Sequence, residues 1–138
     1  PWTLLLYMIN KGSPKNSFDF NKINKDKFLI NRLLKKLEET ICLHIDKQIE
    51  AGANIIQIFD SWAGLLPEEE LPNYCYIPIL KIVEHVKKYK PHVLAYSIMT
   101  GEHIYHIELN QMVRSHYNDA FSVFGGPHPT YCPEIIEK

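Results

Sequence analysis

Four short runs of apolar and β-branched residues constrain the fold of this chain more than any other feature. They are WTLLLYMI (residues 2–9), NIIQIFD (54–60), HVLAYSIMT (92–100) and AFSVFGG (120–126). Their hydrophobicity is almost continuous and does not alternate, which is typical of strands buried on both faces of a parallel sheet. The sequence therefore predicts four parallel strands.

Helix-like segments separate these runs. Residues 26–51 predict a helix with an apolar stripe at a spacing of four, followed by Gly52 as a C-cap. The stripe consists of Leu29, Leu33, Leu37, Ile41, Ile45 and Ile49, widened by Ile30 and Leu34. Residues 67–89 predict a second helix, which prolines divide into a short first turn and a longer part from about residue 78. A third helix is expected from about residue 102 to 117.

The alternation of strands and helices predicts an α/β fold, with four parallel strands alternating with helices. Four strands are too few to close an eight-stranded barrel. We therefore expect an open flavodoxin-like sheet or a half TIM barrel. Because strands at the edge of a sheet carry unpaired backbone groups, a homodimer formed through exposed sheet edges is also expected.

Composition excludes several classes of protein. A chain of 138 residues suits one compact domain, and its net charge of −1 predicts no general affinity for nucleic acid. No apolar run approaches the roughly 18 residues that a membrane-spanning helix requires. Cys42, Cys75 and Cys132 are too few and too far apart for a disulfide framework or a Cys-x-x-Cys metal site. These features predict a cytoplasmic protein that binds neither nucleic acid nor membrane.

Positive charge is concentrated in residues 11–36. This segment holds eight Lys or Arg against two Asp, a local net charge of +6. A solvated helix face with its lead-in loop explains the pattern, and attraction of a polyanionic ligand explains it as well. The sequence leaves both interpretations open.

Three segments together resemble the uroporphyrinogen decarboxylase family of haem biosynthesis. They are PWTLLLYMI, QIEAGANIIQIFDSWAGLLPEEE and YCYIPILKIVEHVK, and they follow in this order over residues 1 to about 88. The resemblance implies a TIM barrel with its active site at the C-terminal ends of the strands. It also implies decarboxylation of the acetate side chains of uroporphyrinogen, without a cofactor.

By this resemblance, Tyr7 and Ser61 match family positions that face the tetrapyrrole, and Asp60 and Trp62 flank Ser61 in the matched motif. Tyr and Ser hydroxyls can donate hydrogen bonds to acetate or propionate carboxylates. The alternative is structural: Tyr7 as a half-buried aromatic and Ser61 as a helix or turn cap.

The sequence also departs from the family pattern. The arginine-rich substrate-binding motif, the aspartate that holds the pyrrole nitrogens and the C-terminal histidine of the pocket have no counterpart here. We therefore assign no catalytic residue and expect the isolated chain to be inactive.

From about residue 89 the resemblance changes. YKPHVLAYSIMTGEHIYHIELNQ and FSVFGGPHPTYCPEII resemble the cobalamin-binding domain found in many radical S-adenosylmethionine enzymes. This resemblance implies a corrinoid ligand and cobalamin as cofactor, bound through Ser97, Thr100, Gly125 and Gly126. The alternative is that the two glycines only form a turn. The motif for an axial histidine and the cysteine motif of an iron–sulfur cluster are both missing from the sequence, which argues against radical chemistry in this chain.

Two resemblances in one chain predict two segments, 1–88 and 89–138, within one compact domain. A chimera joined between Lys87 and Pro91 explains the change. Three functions stay open: a tetrapyrrole-binding decarboxylase fragment, a corrinoid-binding module, and an inactive α/β scaffold. His103 and His106 could form a metal site on a helix with Glu102 and Glu108. Polar side chains that face solvent explain these four residues better, so no metal is predicted.

Overall fold

The computed structural model describes residues 1–14, 18–58, 60–97 and 103–134. The α-helices in these ranges are α1 (Trp2–Asn10), α2 (Asn21–Asn24), α3 (Lys27–Glu50), α4 (Ile77–Val86), α5 (His103–His116) and α6 (Pro127–Tyr131). The strands are β1 (Val93–Ser97) and β2 (Phe121–Gly125). The chain divides into two compact units, unit 1 (Pro1–Ile82) and unit 2 (Val83–Lys138).

The prediction of four parallel strands alternating with helices is wrong. The described residues form six α-helices and one sheet of two parallel strands. The runs at 92–100 and 120–126 contain β1 and β2, whereas residues 2–9 lie in helix α1 and residues 54–58 lie in neither a helix nor a strand. Neither an open four-stranded sheet nor a half TIM barrel is therefore present in the part of the chain that the structure describes.

Helix α1 explains the first error. Its fully buried residues are Trp2, Leu5 and Leu6, which share one face of a helix at spacings of three and four. A short apolar run has no periodicity that separates a buried strand from a buried helix. The start of α1 is also stabilised from elsewhere in the sequence, because the Asp60 carboxylate accepts hydrogen bonds from its first turn.

The segment 54–58 shows the second error. A β-strand needs a neighbour to satisfy its backbone N–H and C=O groups, and no described strand pairs with this segment. Its apolar side chains are correspondingly open to solvent: Ile55 is 87% exposed and Ile58 is 40% exposed. The apolar run is present, but the partner that would make it a strand is not among the described residues.

Helix α3 confirms the predicted helix over residues 26–51. Asp26 is its N-cap and accepts a hydrogen bond from the Leu29 backbone N–H at 3.1 Å. Gly52 follows the helix with a φ of 98°, a backbone conformation that favours glycine. Three residues of the predicted stripe are buried, Ile30, Leu34 and Ile45, whereas Leu29 is exposed. Glu38 is buried as well, although the predicted stripe did not include it.

The predicted break in the second helix is also confirmed. Residues Glu68–Glu70 form a 3₁₀ turn and Pro72–Tyr76 a π-helical turn, after which α4 runs from Ile77 to Val86. The π turn contributes Tyr74 to the aromatic core of unit 1. That core packs Trp2 against Tyr74 and Phe18 at ring-centroid distances of 5.6 and 6.0 Å. Phe20 packs edge-on against Tyr74 at 5.9 Å.

Unit 2 contains a β-α-β arrangement, in which α5 connects β1 to β2. The strands pair in register from Val93 with Phe121 to Ser97 with Gly125. Tyr96 and Phe124 stack at 5.1 Å. Side-chain hydrogen bonds connect α5 to the second strand, since Arg114 donates to the Ala120 carbonyl and Ser122 donates to Asn110. These contacts position the carboxyl ends of both strands side by side.

One face of this sheet carries apolar side chains that are half or more exposed to solvent. Val93, Phe121 and Val123 occupy it and are 53%, 77% and 50% exposed. None of the helices within the described ranges combines the length and hydrophobicity that a bilayer-spanning segment needs.

Candidate functional site

The sequence motif at residues 60–62 packs against helix α1. The Asp60 carboxylate accepts hydrogen bonds from the backbone N–H of Trp2 at 3.3 Å and of Thr3 at 2.6 Å. Its Oδ2 atom also lies 3.4 Å from the nitrogen of Pro1. A carboxylate at this position satisfies N–H groups that have no partner within the helix and interacts favourably with the helix dipole. Asp60 therefore caps α1 although it lies far from the helix in sequence.

Trp2 and Trp62 strengthen the same contact. The Trp2 indole N–H donates to the Trp62 carbonyl at 2.8 Å, and the Trp62 backbone N–H donates to the Thr3 hydroxyl at 3.3 Å. Trp2 is fully buried, so its hydrogen bond is formed at the edge of the core. Together with Asp60, these bonds fix residues 60–62 to the first turn of α1.

Tyr7 lies at the open end of this arrangement. The Trp62 indole N–H donates to the Tyr7 hydroxyl at 3.3 Å. Tyr7 is 39% exposed and Ser61 is exposed, so solvent reaches both residues. The Tyr7 hydroxyl accepts from Trp62 and keeps its own proton available as a donor. The contact joins Tyr7 of helix α1 to the residue that follows Ser61, and the role of Tyr7 and Ser61 in binding stays a prediction.

Cys75 is a buried neighbour of this cluster. Burial raises the pKa of its thiol far above the usual range, and the negative charge of Asp60 raises that pKa further. A thiol with so high a pKa is a poor nucleophile. Cys75 therefore has a packing role. No pattern in the sequence indicated that it would lie near Asp60.

Similarity to known proteins extends over most of the chain. The family model described as uroporphyrinogen decarboxylase (URO-D) matches residues 1–123. The chain belongs to the uroporphyrinogen decarboxylase family. It is 43% identical over 95 residues to a uroporphyrinogen decarboxylase of Rickettsia bellii and 40% identical over 96 residues to one of Orientia tsutsugamushi. It is 37% identical over 94 residues to one of Campylobacter lari.

Each of these alignments covers 67% of this chain and 28% of the relative. The chain therefore spans less than a third of the length of these uroporphyrinogen decarboxylases. No solved structure matches the chain. The family match continues to residue 123, past the predicted join between Lys87 and Pro91, and these similarities support neither a chimera nor a cobalamin-binding segment.

The residues predicted from the second resemblance lie in unit 2. Ser97 ends β1 and pairs in register with Gly125 at the end of β2. Gly126 follows with a φ of 97°, which lets the chain turn sharply into α6. Thr100 lies outside the described residues. The structure thus brings Ser97, Gly125 and Gly126 to one end of the sheet, and corrinoid binding by them stays a prediction.

Two histidines meet near this end of the sheet. The His103 and His128 rings stack with centroids 4.2 Å apart and an interplanar angle of 15°. His128 is 8% exposed. The described residues contain no group of three or more His, Cys, Asp or Glu side chains arranged to hold a metal ion. The sequence did not reveal this stacked pair.

Proposed function

We propose that this chain is the part of a uroporphyrinogen decarboxylase that contributes Tyr7 and Ser61 to the binding of the tetrapyrrole carboxylates. The observation that carries the proposal is the hydrogen bond from Trp62 to Tyr7, because it joins helix α1 to the matched motif at residues 60–62. In a chain of this family, that contact supports the proposal because it links Tyr7 to the residue that follows Ser61.

The chemistry of the two residues suits this role. Uroporphyrinogen carries acetate and propionate side chains, and a carboxylate forms its strongest neutral-donor hydrogen bonds with O–H groups at short distance. Asp60 does not compete for this role, since its carboxylate is already bonded to the start of α1. The negative charge of Asp60 is thereby directed at backbone N–H groups and not at an incoming carboxylate.

We further propose that the isolated chain binds but does not decarboxylate. Loss of carbon dioxide from a pyrrole acetate needs a protonated ring as electron sink and a group that stabilises the developing positive charge. Tyr7 and Ser61 are neutral hydrogen-bond donors and supply neither. Uroporphyrinogen incubated with the chain should therefore yield no porphyrinogen with fewer carboxylates, as measured by chromatography after oxidation.

Binding is tested by amide NMR with uroporphyrin. Saturable shifts are expected at residues near Tyr7 and Ser61, and the double variant Tyr7→Phe with Ser61→Ala should lose them. The matched control is Tyr89→Phe with Ser115→Ala, which removes one tyrosine hydroxyl and one serine hydroxyl from unit 2. Equal binding by the two double variants would reject the proposal.

Cobalamin binding through Ser97, Thr100, Gly125 and Gly126 is the alternative, and the same protein sample tests it. Hydroxocobalamin should leave the amide spectrum unchanged if the tetrapyrrole proposal accounts for the chain. Shifts confined to the ends of β1 and β2 would favour the corrinoid alternative.

A further inference from the structure

A cleft on unit 1 gathers basic residues that the proposed tetrapyrrole site does not use. It has a volume of about 300 Å³ and lies between the N-terminal half of α3 and the start of α4. We call it the basic cleft and define it by six of its lining residues, Lys27, Asn31, Lys35, Glu38, Tyr74 and Lys81. The first four follow one another at spacings of four, four and three, so they share one face of α3.

The charges in the basic cleft are unbalanced. Glu38 is 6% exposed, and its carboxylate accepts from the Lys81 ammonium at 2.9 Å. A buried carboxylate needs such a partner, so this pair is internally neutralised. Lys27 and Lys35 form no ion pair with any described residue. The ammonium groups of Lys27 and Lys35 therefore have no carboxylate partner among the described residues, and both lie on the α3 side of the basic cleft.

A buried hydroxyl adds a second, independent observation. Tyr74 is 1% exposed and lines the basic cleft, and its hydroxyl has no hydrogen-bond partner among the described residues. Buried polar groups without partners are rare in folded proteins, and each calls for an explanation such as a bound ligand. Tyr74 also belongs to the π-helical turn Pro72–Tyr76, and such turns are frequent at functional sites.

We propose that the basic cleft binds a small doubly charged oxyanion of the phosphate type. Lys27 and Lys35 supply the compensating charge, and Asn31 supplies an amide donor on the same helix face. The Tyr74 hydroxyl supplies one more donor. This assignment does not rest on the tetrapyrrole proposal, since it uses neither Tyr7 nor Ser61.

The test is an amide NMR titration with inorganic phosphate at constant ionic strength. We expect saturable shifts in α3 and in the π-helical turn, with a dissociation constant in the millimolar range. Lys27→Gln with Lys35→Gln should weaken binding by about tenfold or more, since a charge-assisted hydrogen bond contributes that much or more. The matched control is Lys11→Gln with Lys25→Gln, which removes the same charge from residues 11–36, since neither lysine lines the cleft or forms an ion pair with a described residue.

A further variant, Glu38→Gln, tests the cleft even if the lysine substitutions weaken binding only by lowering the net charge of the protein. Glu38→Gln removes the carboxylate that holds Lys81, so phosphate binding should become tighter. Equal weakening in both lysine double variants would mean diffuse attraction and would overturn the site. Linear, unsaturable shifts, or no shifts at all, would overturn it too. Titrations with the phosphate monoester of glycerol and with sulfate then distinguish recognition of a phosphate group from recognition of any dianion.

Discussion

Trp2 is the residue at which the packing of unit 1 and the geometry of its candidate site can be tested together. We predict that Trp2→Phe lowers the free energy of unfolding of unit 1 by about 2–4 kcal/mol. The substitution keeps an aromatic ring against Tyr74 and Phe18 but removes the indole N–H that donates to the Trp62 carbonyl at 2.8 Å.

The magnitude follows from two losses. A carbonyl left without its partner at the edge of a core costs roughly 1–3 kcal/mol. Trp2 is fully buried, so the ring atoms that phenylalanine lacks also cost about 0.8 kcal/mol for each buried carbon group. These losses are a large part of the roughly 5–15 kcal/mol that stabilises a typical domain.

The chain contains a matched control for this substitution. Trp62 also donates its indole N–H, to the Tyr7 hydroxyl, but that bond is exposed and 3.3 Å long. Trp62→Phe should therefore cost less than about 1 kcal/mol, because water replaces the lost partner. The sequence contains two tryptophans, and both lie in unit 1. Each variant thus retains one fluorescent reporter of that unit.

The assay is urea unfolding followed by fluorescence of the remaining tryptophan and by circular dichroism at 222 nm. The expected result is a clearly lower midpoint for Trp2→Phe than for Trp62→Phe, with similar slopes. If both variants unfold at the same urea concentration, the indole of Trp2 does not anchor residues 60–62. The description of the site would then have to be revised.

Three further predictions concern other parts of the chain. Cys75 should react with a thiol reagent far more slowly than Cys42 and Cys132 in the folded chain, because burial raises its thiol pKa, and mass spectrometry should find all three labelled in denaturant. Burial also raises the pKa of Tyr96 to about 12, so stability from this group should be fully present below pH 10 and lost as the pH rises towards 12. Tyr96→Phe should make the loss of stability across this pH range smaller, while Tyr74 and Cys75, whose pKa values burial also raises, keep their share of it. An unchanged slope would contradict the assigned burial. Asp26→Ala should cost about 1 kcal/mol in thermal unfolding through loss of the α3 N-cap, whereas Asp119→Ala, at an exposed residue between α5 and β2, should cost less.

Helix α3 and the broken helix after residue 67 were predictable because their signals are local. Asp26 and Gly52 mark the two ends of α3, and the prolines of the second helix mark where its geometry changes. Each signal acts within a few residues, so the sequence carries it whatever the rest of the chain does. The exact buried face of α3 was less predictable, because Glu38 is buried only through Lys81, which lies far away in the sequence.

The strands were predicted less well because a strand depends on a partner. Val93–Ser97 and Phe121–Gly125 pair with each other, whereas residues 54–58 have equally strong β propensity and no partner among the described residues. Residues 2–9 were assigned to the wrong class because continuous hydrophobicity fits a buried helix as well as a buried strand. The hydrogen bonds from the first turn of α1 to Asp60 favour the helix, and they join residues that lie in two different apolar runs of the sequence.

The residues of the candidate site were named from the motif and stay a prediction, whereas the residues that support them in the fold were not predicted. Tyr7 and Ser61 were expected from family resemblance, while the roles of Trp2, Thr3 and Asp60 as the residues that hold them appear only in the folded chain. Each of these hydrogen bonds joins one residue in the first turn of α1 to one residue of the motif at 60–62. A single sequence does not reveal such pairs.

The hydrogen bonds that hold the candidate site do not depend on the formation of a sheet. Residues 60–62 are held by the free N–H groups of α1 and by the Trp2 indole, and none of these bonds requires residues 54–58 to form a strand. The Tyr7–Trp62 contact should therefore persist even though the preceding apolar segment is exposed. We therefore expect that any binding at Tyr7 and Ser61 depends on the stability of α1 and not on sheet formation. Trp2→Phe should consequently weaken any uroporphyrin binding that Tyr7→Phe with Ser61→Ala abolishes, whereas Phe121→Ser in β2 of unit 2 should leave that binding unchanged.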